Sequence, residues 1–246
     1  MPTPAASAGS ILIQLAVFVT ILWTESWCAV NTTRTYDASG RRAQARRSRA
    51  EVVSTARRLF LASGYSATTV AAVAAEAGVS VETVYKTFGG KPGLVRAIRD
   101  EALTGAGPEP AERRSDELQA AESNPSAIIR GWARLTLEVS PRVTPILLLV
   151  RDAGVTDPEM ALLRAEMDHA RLKRMTHNAT TLASRGHLRE GLSLERAAEV
   201  MWTYSSPELF HLLVGTLGWP LEQYGDFIAD ALVAALLPPS PTGPIV

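Results

Sequence analysis

Short polar side chains and a lysine follow a glycine-containing turn about a third of the way along the chain. The turn is Ala77-Gly78-Val79-Ser80, and it joins two segments with helical spacing of apolar residues. A glycine allows a tight turn between two helices, and the second helix of such a pair can be presented to the major groove of DNA. From that helix Thr83 can contact a thymine methyl group or a base edge, and Lys86 can donate to guanine or to phosphate.

Further side chains around this turn suit the phosphate backbone. Thr68 and Thr69 bring hydroxyls and backbone amides to a helix N-terminus, where phosphate oxygens bind. Tyr85 can lay its ring and hydroxyl against the DNA backbone. Glu82 and Thr87 complete the outward face of the second helix. For each residue taken singly, a solvated face on an ordinary helical hairpin remains the alternative.

Helical spacing of apolar residues predicts the elements that position these side chains. The first helix turns the spaced apolar residues between Val52 and Phe60 inward and stops at Gly64. Thr68 and Thr69 cap the second helix. The inward positions of the second helix are Val70, Val73, Ala74 and Ala77. Those of the third, with Ser80 as N-cap, are Val81, Val84, Tyr85 and Phe88. A fourth helix opens at Lys91-Pro92-Gly93 and turns Leu94, Val95 and Ile98 inward.

The remainder of the chain also reads as helices, so an all-α fold is predicted. Residues 105–125 are polar and contain prolines, which predicts a loop with at most one short helix. The helices that follow are predicted near 126–140 and 144–153, separated by Pro141, and then at Asp157–Ser184, Ser193–Leu217 and Leu221–Leu237. The tail from Pro238 is predicted to be disordered.

These elements predict four parts of the chain. Residues 1–45 hold an apolar segment and an arginine-rich arm, and 46–106 form the helix-turn-helix domain, with the motif itself at 69–88. Residues 107–237 form a larger helical domain, and 238–246 are the tail.

Charge is distributed unevenly, although the formal net charge of the 246 residues is zero. Residues 31–101 carry 12 Lys/Arg against 6 Asp/Glu, a net of +6, while 102–246 carry 13 against 18, a net of −5. This asymmetry suggests a polyanion-binding head on a body that does not touch the polyanion. The head begins with a cluster at Arg41, Arg42, Arg46, Arg47 and Arg49. The cluster is either a flexible arm that grips phosphates or a minor groove, or a solvated charge run.

The run Leu59 to Ile98 resembles the TetR (tetracycline repressor) family of bacterial repressors. The resemblance lies in the elements G-Y-x-x-T-T-V, A-G-V-S, T-V-Y-x-x-F and K-x-x-L. It implies a three-helix head with a connecting fourth helix, and a helical ligand-binding and dimerisation domain. Two departures are Gly89-Gly90 in place of a polar cap and Pro92-Gly93 in place of acidic residues, so the fourth helix is expected to start more loosely.

The same resemblance implies a function and a set of contacts. The expected protein is a cytoplasmic, dimeric repressor that binds double-stranded DNA at a palindromic operator and is released by a small-molecule effector. The DNA-contacting residues carried over by position are Thr68, Thr69, Ser80, Thr83, Tyr85, Lys86 and Lys91.

The larger domain offers candidates for an effector cavity, with plain core packing as the alternative. The main candidates are Trp132, Arg151, Met175, His177, Met201, Trp202 and Tyr204. Asp152, Met160, His169 and Phe210 are also considered. His169 and His177 lie eight residues apart on one helix, but the sequence identifies no further ligands for a metal site.

Apolar positions of the last helices predict a homodimer through a four-helix interface, with internal packing as the alternative. These positions are Leu194, Ala197, Ala198, Met201, Leu209, Leu212, Leu213, Phe227, Ile228, Leu232 and Leu236. The preference for a dimer rests mainly on the resemblance.

The apolar segment Ile11–Trp23 admits three interpretations. A signal peptide lacks its positively charged start, because no Lys or Arg precedes Arg34. A membrane anchor through residues 11–30 would leave the arginines, and hence the regulator, on the cytoplasmic side. We favour the third, in which the reading frame begins near Val30 and no membrane partner is involved.

Signatures of enzymes are absent from the sequence. It contains no Walker-type phosphate loop, no G-x-G-x-x-G after a strand and no G-x-S-x-G elbow. Cys28 is the only cysteine, which excludes an intrachain disulfide and a cysteine-based zinc site and favours a reducing compartment. We therefore expect a protein that is not an enzyme and that uses neither a metal nor another cofactor.

Overall fold

The computed structural model describes residues 38–105, 107 and 109–239. The fold is all-α, and the described residues contain no strand. Residues 38–45 belong to one unit and the described residues from Arg46 onward to another. The helices are α1 (Ala38–Ala67), α2 (Val70–Glu76), α3 (Val81–Phe88), α4 (Lys91–Thr104), α5 (Ala111–Ala121), α6 (Pro125–Ala153), α7 (Pro158–Ser184), α8 (Leu194–Tyr204), α9 (Pro207–Phe210), a π-helix (His211–Thr216) and α10 (Leu221–Leu236).

Helices α1 to α4 form the head around one apolar core. The helical path of α1 breaks at Gly64, whose φ of 81° and ψ of 165° are non-helical. This is where the sequence predicts the first helix to stop. Phe60 and Leu94 are fully buried at the centre of the head. Burial of such a side chain contributes about 1.5–3 kcal/mol, so the head depends on these contacts more than on helix propensity.

Two inward positions predicted for α3 are wrong. Val84 is fully buried and Phe88 packs partly against the core, but Val81 and Tyr85 are exposed by 41% and 54%. The helix has only eight residues and ends at Gly89. Because so short a helix contacts the core over only about two turns, the pair Val84 and Phe88, four residues apart, is enough to pack it against the core. The other side chains are left at the surface.

Helix α6 corrects the prediction of two helices separated by Pro141. It is continuous over 29 residues, with Pro141 and Pro145 both inside. An internal proline costs a helix about 3 kcal/mol. The burial of α6 in two separate cores offsets this cost, because Ile128 lies in one cluster and Ile146 in the other, both fully buried.

Helix α5 lies within the segment that the sequence predicts to be mainly a loop. Its buried face consists of Ala111, Ser115 and Gln119, four residues apart. The Gln119 amide donates to the carbonyl of Ser115 at 3.0 Å and to Oδ1 of Asn178 at 3.2 Å. Because this face is polar and hydrogen-bonded, apolar periodicity does not reveal the helix.

The segment predicted as one helix from Ser193 to Leu217 is divided. Helix α8 ends at Tyr204, and Ser206 caps α9 by accepting from Leu209 N at 3.0 Å. The residues predicted for the dimer interface are largely internal. Ala197, Ala198, Met201, Leu213, Ile228, Leu232 and Leu236 are all buried within one chain. Internal packing is therefore the correct interpretation of these positions.

Two apolar clusters organise the unit from Arg46 onward, and α6 and α7 contribute to both. The head cluster also contains Ile146, Val150 and Met160 from these long helices. The segments on either side of the boundary expected at residue 106 therefore share a packed core.

No helix among the described residues is long and apolar enough to cross a membrane. The possible anchor at residues 11–30 and the tail from residue 240 lie outside the described residues. The arginine cluster from Arg41 to Arg49 lies within helix α1.

Candidate nucleic-acid interface and internal cavity

The helix-turn-helix motif is built by two capped helices around a glycine turn. Gly78 has a φ of 66°, a conformation that glycine adopts readily. Ser80 Oγ accepts a hydrogen bond from Thr83 N at 3.1 Å and lies 2.8 Å from Thr83 Oγ1. Ser80 is therefore the N-cap that the sequence predicts, and its hydroxyl also orients that of Thr83.

The outward face of α3 is available to a ligand. Glu82, Thr83, Lys86 and Thr87 are all exposed. Tyr85 is exposed as well, and its ring borders Gly90, where an added Cβ would lie 3.5 Å from Tyr85 Cε1. This face combines hydroxyls, a methyl, a cation and a phenol, which can contact both base edges and phosphates.

Thr68 does not belong to this surface, in contrast to the sequence prediction. It is buried, and its hydroxyl donates to the carbonyls of Gly64 at 2.9 Å and Leu59 at 3.2 Å. These bonds satisfy carbonyls at the end of α1. Its neighbour Thr69 is exposed and caps α2 by accepting from Ala72 N at 3.0 Å. Of the two threonines, Thr69 remains able to contact DNA.

Lys91 lies at the start of α4 with its Nζ 4.1 Å from the centre of the Tyr65 ring. Partial burial lowers the pKa of Lys91, while Asp157 acts in the opposite direction. Burial also raises the pKa of Tyr65 to about 12, and the nearby carboxylates Asp157 and Glu159 add to this effect. The Lys91 side chain is thus held against an aromatic face rather than extended into solvent.

The turn between α3 and α4 needs the glycines that depart from the family pattern. Gly89 has a φ of 77° and ends α3, and Gly90 has a φ of 122°. An added Cβ at Gly93 would lie 1.6 Å from the carbonyl oxygen of Phe88. The backbones of Gly93 and Phe88 therefore approach closely here, while Gly90, the N-cap of α4, supplies no side-chain cap hydrogen bond.

A further cation lies beside α3. The guanidinium of Arg49 lies over the ring of Phe88, with 4.7 Å between Cζ and the ring centre. Arg49 is exposed. The sequence signals Arg49 only as one member of the arginine cluster. Its position at the end of α3 follows from the packing of α1 against that helix.

A cavity of about 600 Å³ lies in the larger helical part of the chain. Volumes of this size accommodate drug-sized molecules. Five of the seven main sequence candidates line it: Trp132, Arg151, Met175, Met201 and Tyr204.

The other two main candidates lie outside the cavity lining. His177 is exposed, with Nε2 3.1 Å from Asp116 Oδ1. Trp202 stacks on the guanidinium of Arg171 at 4.2 Å, and its Nε1 donates to the carbonyl of Asp168 at 3.4 Å. Asp152, Met160, His169 and Phe210 do not line it either.

The cavity has a polar wall that sequence reasoning missed. It is formed on α7 by Arg164, Asp168, Arg171, Arg174 and Asn178. These residues recur at intervals of three or four, which places them on one helix face and was a signal available in the sequence. Burial lowers the pKa of Arg171, while its contact with Asp168 acts in the opposite direction. In the part of the chain that the structure describes, no three His, Cys, Asp or Glu side chains form a possible metal site.

Residues 52–98 match the family model of bacterial regulatory proteins, tetR family. The head of the chain is therefore similar to the tetR family. This match covers helices α1 to α4, where α3 presents its exposed face. A tetR-family helix-turn-helix head is the DNA-binding domain of a transcriptional regulator, so the chain has the architecture of a DNA-binding regulator.

Solved structures with a similar fold extend beyond the tetR-family head. SmeT, a repressor from Stenotrophomonas maltophilia, in complex with triclosan has a TM-score of 0.63 at 19% identity, covering 81% of this chain and 96% of that chain. NalD, the secondary repressor of the MexAB-OprM multidrug efflux pump in Pseudomonas aeruginosa, has 0.61 at 18%, covering 79% and 99%. FadR, a fatty acid degradation regulator from Bacillus halodurans, has 0.61 at 12%, covering 76% and 94%. No curated protein sequence matches the chain closely enough to be a relative.

Proposed function

We propose that this chain is a dimeric transcriptional repressor that binds a palindromic operator and leaves it when a small molecule fills the cavity. The observation that carries the proposal is the exposed face of α3 on a tetR-family head whose apolar core extends to the cavity. We place its action in the cytoplasm, where the operator DNA lies.

The DNA-binding roles follow from exposure and position. Thr83 and Lys86 lie on the outward face of α3 and would contact base edges in the major groove. Tyr85 and Thr69 flank that face and would hold phosphates. Lys91 would contact the backbone from the start of α4. Ser80 supports Thr83, and Glu82 and Thr87 border the contact surface.

Arg49 belongs in this proposed contact set. A guanidinium that lies over one aromatic face still has N–H groups that can donate to phosphate oxygens. The contact with Phe88 fixes this cation beside the end of α3. We therefore assign to Arg49 a phosphate contact next to the recognition helix.

Coupling between the cavity and the head would pass through side chains that belong to both. Val150 and Met167 line the cavity and are buried in the head cluster. Arg96 of α4 also forms a two-pronged ion pair with Glu166 of α7, with Nη2 2.8 Å from Oε2. A ligand that displaces α6 or α7 would therefore move α4 and change the spacing of the two heads in a dimer.

The named relatives support an effector-responsive repressor. SmeT is described as the repressor of a multidrug efflux pump and has been solved with triclosan. NalD is likewise described as a repressor of an efflux pump. These likenesses support the same general behaviour for a chain that combines this fold with a cavity large enough for a small molecule.

A dimer would use apolar side chains that remain exposed in one chain. Leu212 is exposed by 52% on the π-helix, Leu217 by 61% just after it, and Phe227 by 37% on α10. Burial of these side chains against a second copy would remove their apolar surface from water. Leu212 and Phe227 are the exposed members of the set that the sequence suggests, and Leu217 is added to them.

Selection of bound fragments from genomic DNA tests the proposal directly. The recovered sequence should contain an inverted repeat, and wild-type protein should bind it about a thousandfold or more tightly than scrambled duplex. Lys86→Ala should lower operator affinity by about 1–3 kcal/mol and so reduce this preference, while Arg113→Ala, on the exposed surface of α5, should keep it. Recovery of fragments with no common sequence would contradict the proposal.

A further inference from the structure

The cavity wall carries five arginines, but their charges are already paired. Arg174 Nη2 donates to Asp116 Oδ1 at 2.7 Å and to Ser115 Oγ at 2.7 Å. Arg171 donates to the carbonyl of Trp202 at 2.6 Å and to Asp168 Oδ1 at 3.3 Å. These two guanidiniums therefore offer little unmet charge to a ligand.

The remaining three arginines of the lining also lie close to carboxylates, and Arg164 shares that of Asp168 with Arg171. Arg99 Nη2 lies 2.6 Å from Asp100 Oδ1, and Arg151 Nη2 lies 2.8 Å from Asp152 Oδ1. Arg164 Nε lies 3.6 Å from Asp168 Oδ2. An anionic ligand would have to displace a carboxylate, so it would exchange one ion pair for another while still losing its own hydration.

The rest of the wall is largely apolar. Along α6, the side chains of Leu135, Val139, Val143 and Leu147 follow one another every four residues and line the cavity. Ile228 and Leu232 of α10 also line it. Contact with these side chains favours a ligand whose surface is mainly hydrocarbon.

One residue of this wall carries a buried donor that lacks an acceptor. Trp132 lines the cavity, and its Nε1 is buried with no hydrogen-bond partner among the described residues. A buried donor of this kind would gain from a ligand oxygen that reached it through a small shift of the indole, because an unmet hydrogen bond is costly.

We propose that the cavity binds an uncharged, mainly apolar molecule with a hydrogen-bond acceptor, and that its paired arginines discriminate against carboxylates of the same shape. The inference rests on the proposed function, because it names the class of effector that would fill the same cavity. The inference follows from the ion pairs between arginines of the cavity wall and nearby carboxylates, which a count of arginines in the sequence would not reveal.

Three probes of equal chain length test the inference: decanol, decanoate and decyltrimethylammonium, titrated calorimetrically into the full chain. Decanol should bind at least about tenfold more tightly than either ion. Each ion would lose its hydration without gaining an oppositely charged group that is not already paired. Leu135→Trp, which fills the cavity, should abolish decanol binding. Leu162→Trp makes the same change at an exposed site of α7 outside the lining and should leave binding intact.

Asp116→Asn provides a second test that does not alter the shape of the cavity, because Asp116 does not line it. The substitution removes the carboxylate partner of Arg174 and leaves the cation in the wall. Decanoate affinity should then rise about threefold or more, while decanol affinity stays the same. Decanoate binding that is unchanged in this variant would show that arginine pairing does not set the selectivity.

Decanoate binding as tightly as decanol to the wild type, or no binding of any probe, would overturn the inference. Operator binding is measured separately on the same preparations. Selective decanol binding without any operator binding would leave the inference standing and contradict the proposed function. Operator binding together with a preference for decanoate would support the proposed function and contradict the inference.

Discussion

Arg49 and Phe88 form a cation–π contact between α1 and the last residue of the recognition helix, with 4.7 Å from guanidinium to ring centre. The Phe88 ring also packs against the apolar core of the head. Phe88 therefore links the internal packing of α3 to the position of a surface cation. This link gives the arginine a defined place beside the proposed DNA contacts.

Arg49→Ala should weaken binding to operator and scrambled DNA alike, because a phosphate contact carries no sequence information. The slope of log affinity against log salt should fall by about one unit per monomer. Fluorescence anisotropy at several salt concentrations measures both effects. Arg113→Ala removes an exposed arginine of α5 and serves as the control. A loss confined to the operator would contradict the phosphate role.

Lys86→Ala should act differently, since its side chain is expected to contact a base edge. The variant should lose about 1–3 kcal/mol of operator affinity and relax the preference at one base pair in each half-site. Competition between duplexes that differ at single positions measures this relaxation. Thr83→Val keeps a methyl for a thymine contact but removes the hydroxyl, so it separates the two ways in which Thr83 could read a base. If Lys86→Ala keeps full affinity and preference while folded, α3 is not the reading helix.

The sequence predicts the head better than the larger domain because the head follows local rules. Ser80 and Thr69 are caps, and Gly64 and Gly89 end helices, so the relevant physics lies within a few residues. The continuity of α6 through Pro141 depends on two distant cores, and α5 is hidden by a polar buried face. These features require tertiary contacts that spacing alone does not contain.

The same distinction applies to the candidate sites. The exposure of Glu82, Thr83 and Lys86 follows from helical spacing. Thr68 is of a residue type that often caps helices at the surface, but in the folded chain it is buried. In the cavity, large apolar and aromatic types identify part of the wall. Four of its five arginines lie beside carboxylates within four residues on their own helix, whereas the pairing of Arg174 with Asp116 of α5 depends on tertiary packing.

Gly93→Ala should destabilise the head, because its Cβ would overlap the carbonyl oxygen of Phe88. The backbone must shift to relieve this overlap, at a cost of about 1–3 kcal/mol. Thermal unfolding followed by circular dichroism measures the loss. Pro92→Ala changes the neighbouring residue without such a clash and should lower stability by less. Equal stability of Gly93→Ala and wild type would show that the turn is not tightly constrained.

Leu212→Glu should weaken the proposed dimer by placing a charge on its apolar surface, at a cost of about 2 kcal/mol or more. Sedimentation at micromolar concentration should show a shift toward monomer, with the folded state retained. Leu162→Glu, on a leucine of α7 that is 73% exposed, is the matched control. Leu213→Glu should instead reduce folding, because Leu213 is buried within one chain. An unchanged dimer in folded Leu212→Glu would place the interface elsewhere.

Alkaline pH should destabilise the fold through Tyr224, which is 1% exposed and packs edge-on against Phe210 at 5.2 Å. Burial raises the pKa of Tyr224 from 10.0 to about 12, so the folded state resists loss of the phenolic proton. The stabilisation from the neutral phenol is fully present below pH 10 and is lost as the pH rises through about 12. Over that range the free energy of unfolding should fall by on the order of 1.4 kcal/mol per pH unit from this group.

Tyr224→Phe should therefore flatten the decline in unfolding free energy above pH 10, whatever its effect at neutral pH. Tyr65, whose pKa is also raised to about 12, should leave a residual decline in this variant. Denaturant titrations at pH 8, 10 and about 11 measure the slope, and Tyr85→Phe, at an exposed site, is the control. A Tyr224→Phe slope equal to that of wild type would mean that the buried phenol already loses its proton near pH 10. In that case the packing of α9 against α10 would be open enough to hydrate the phenolate.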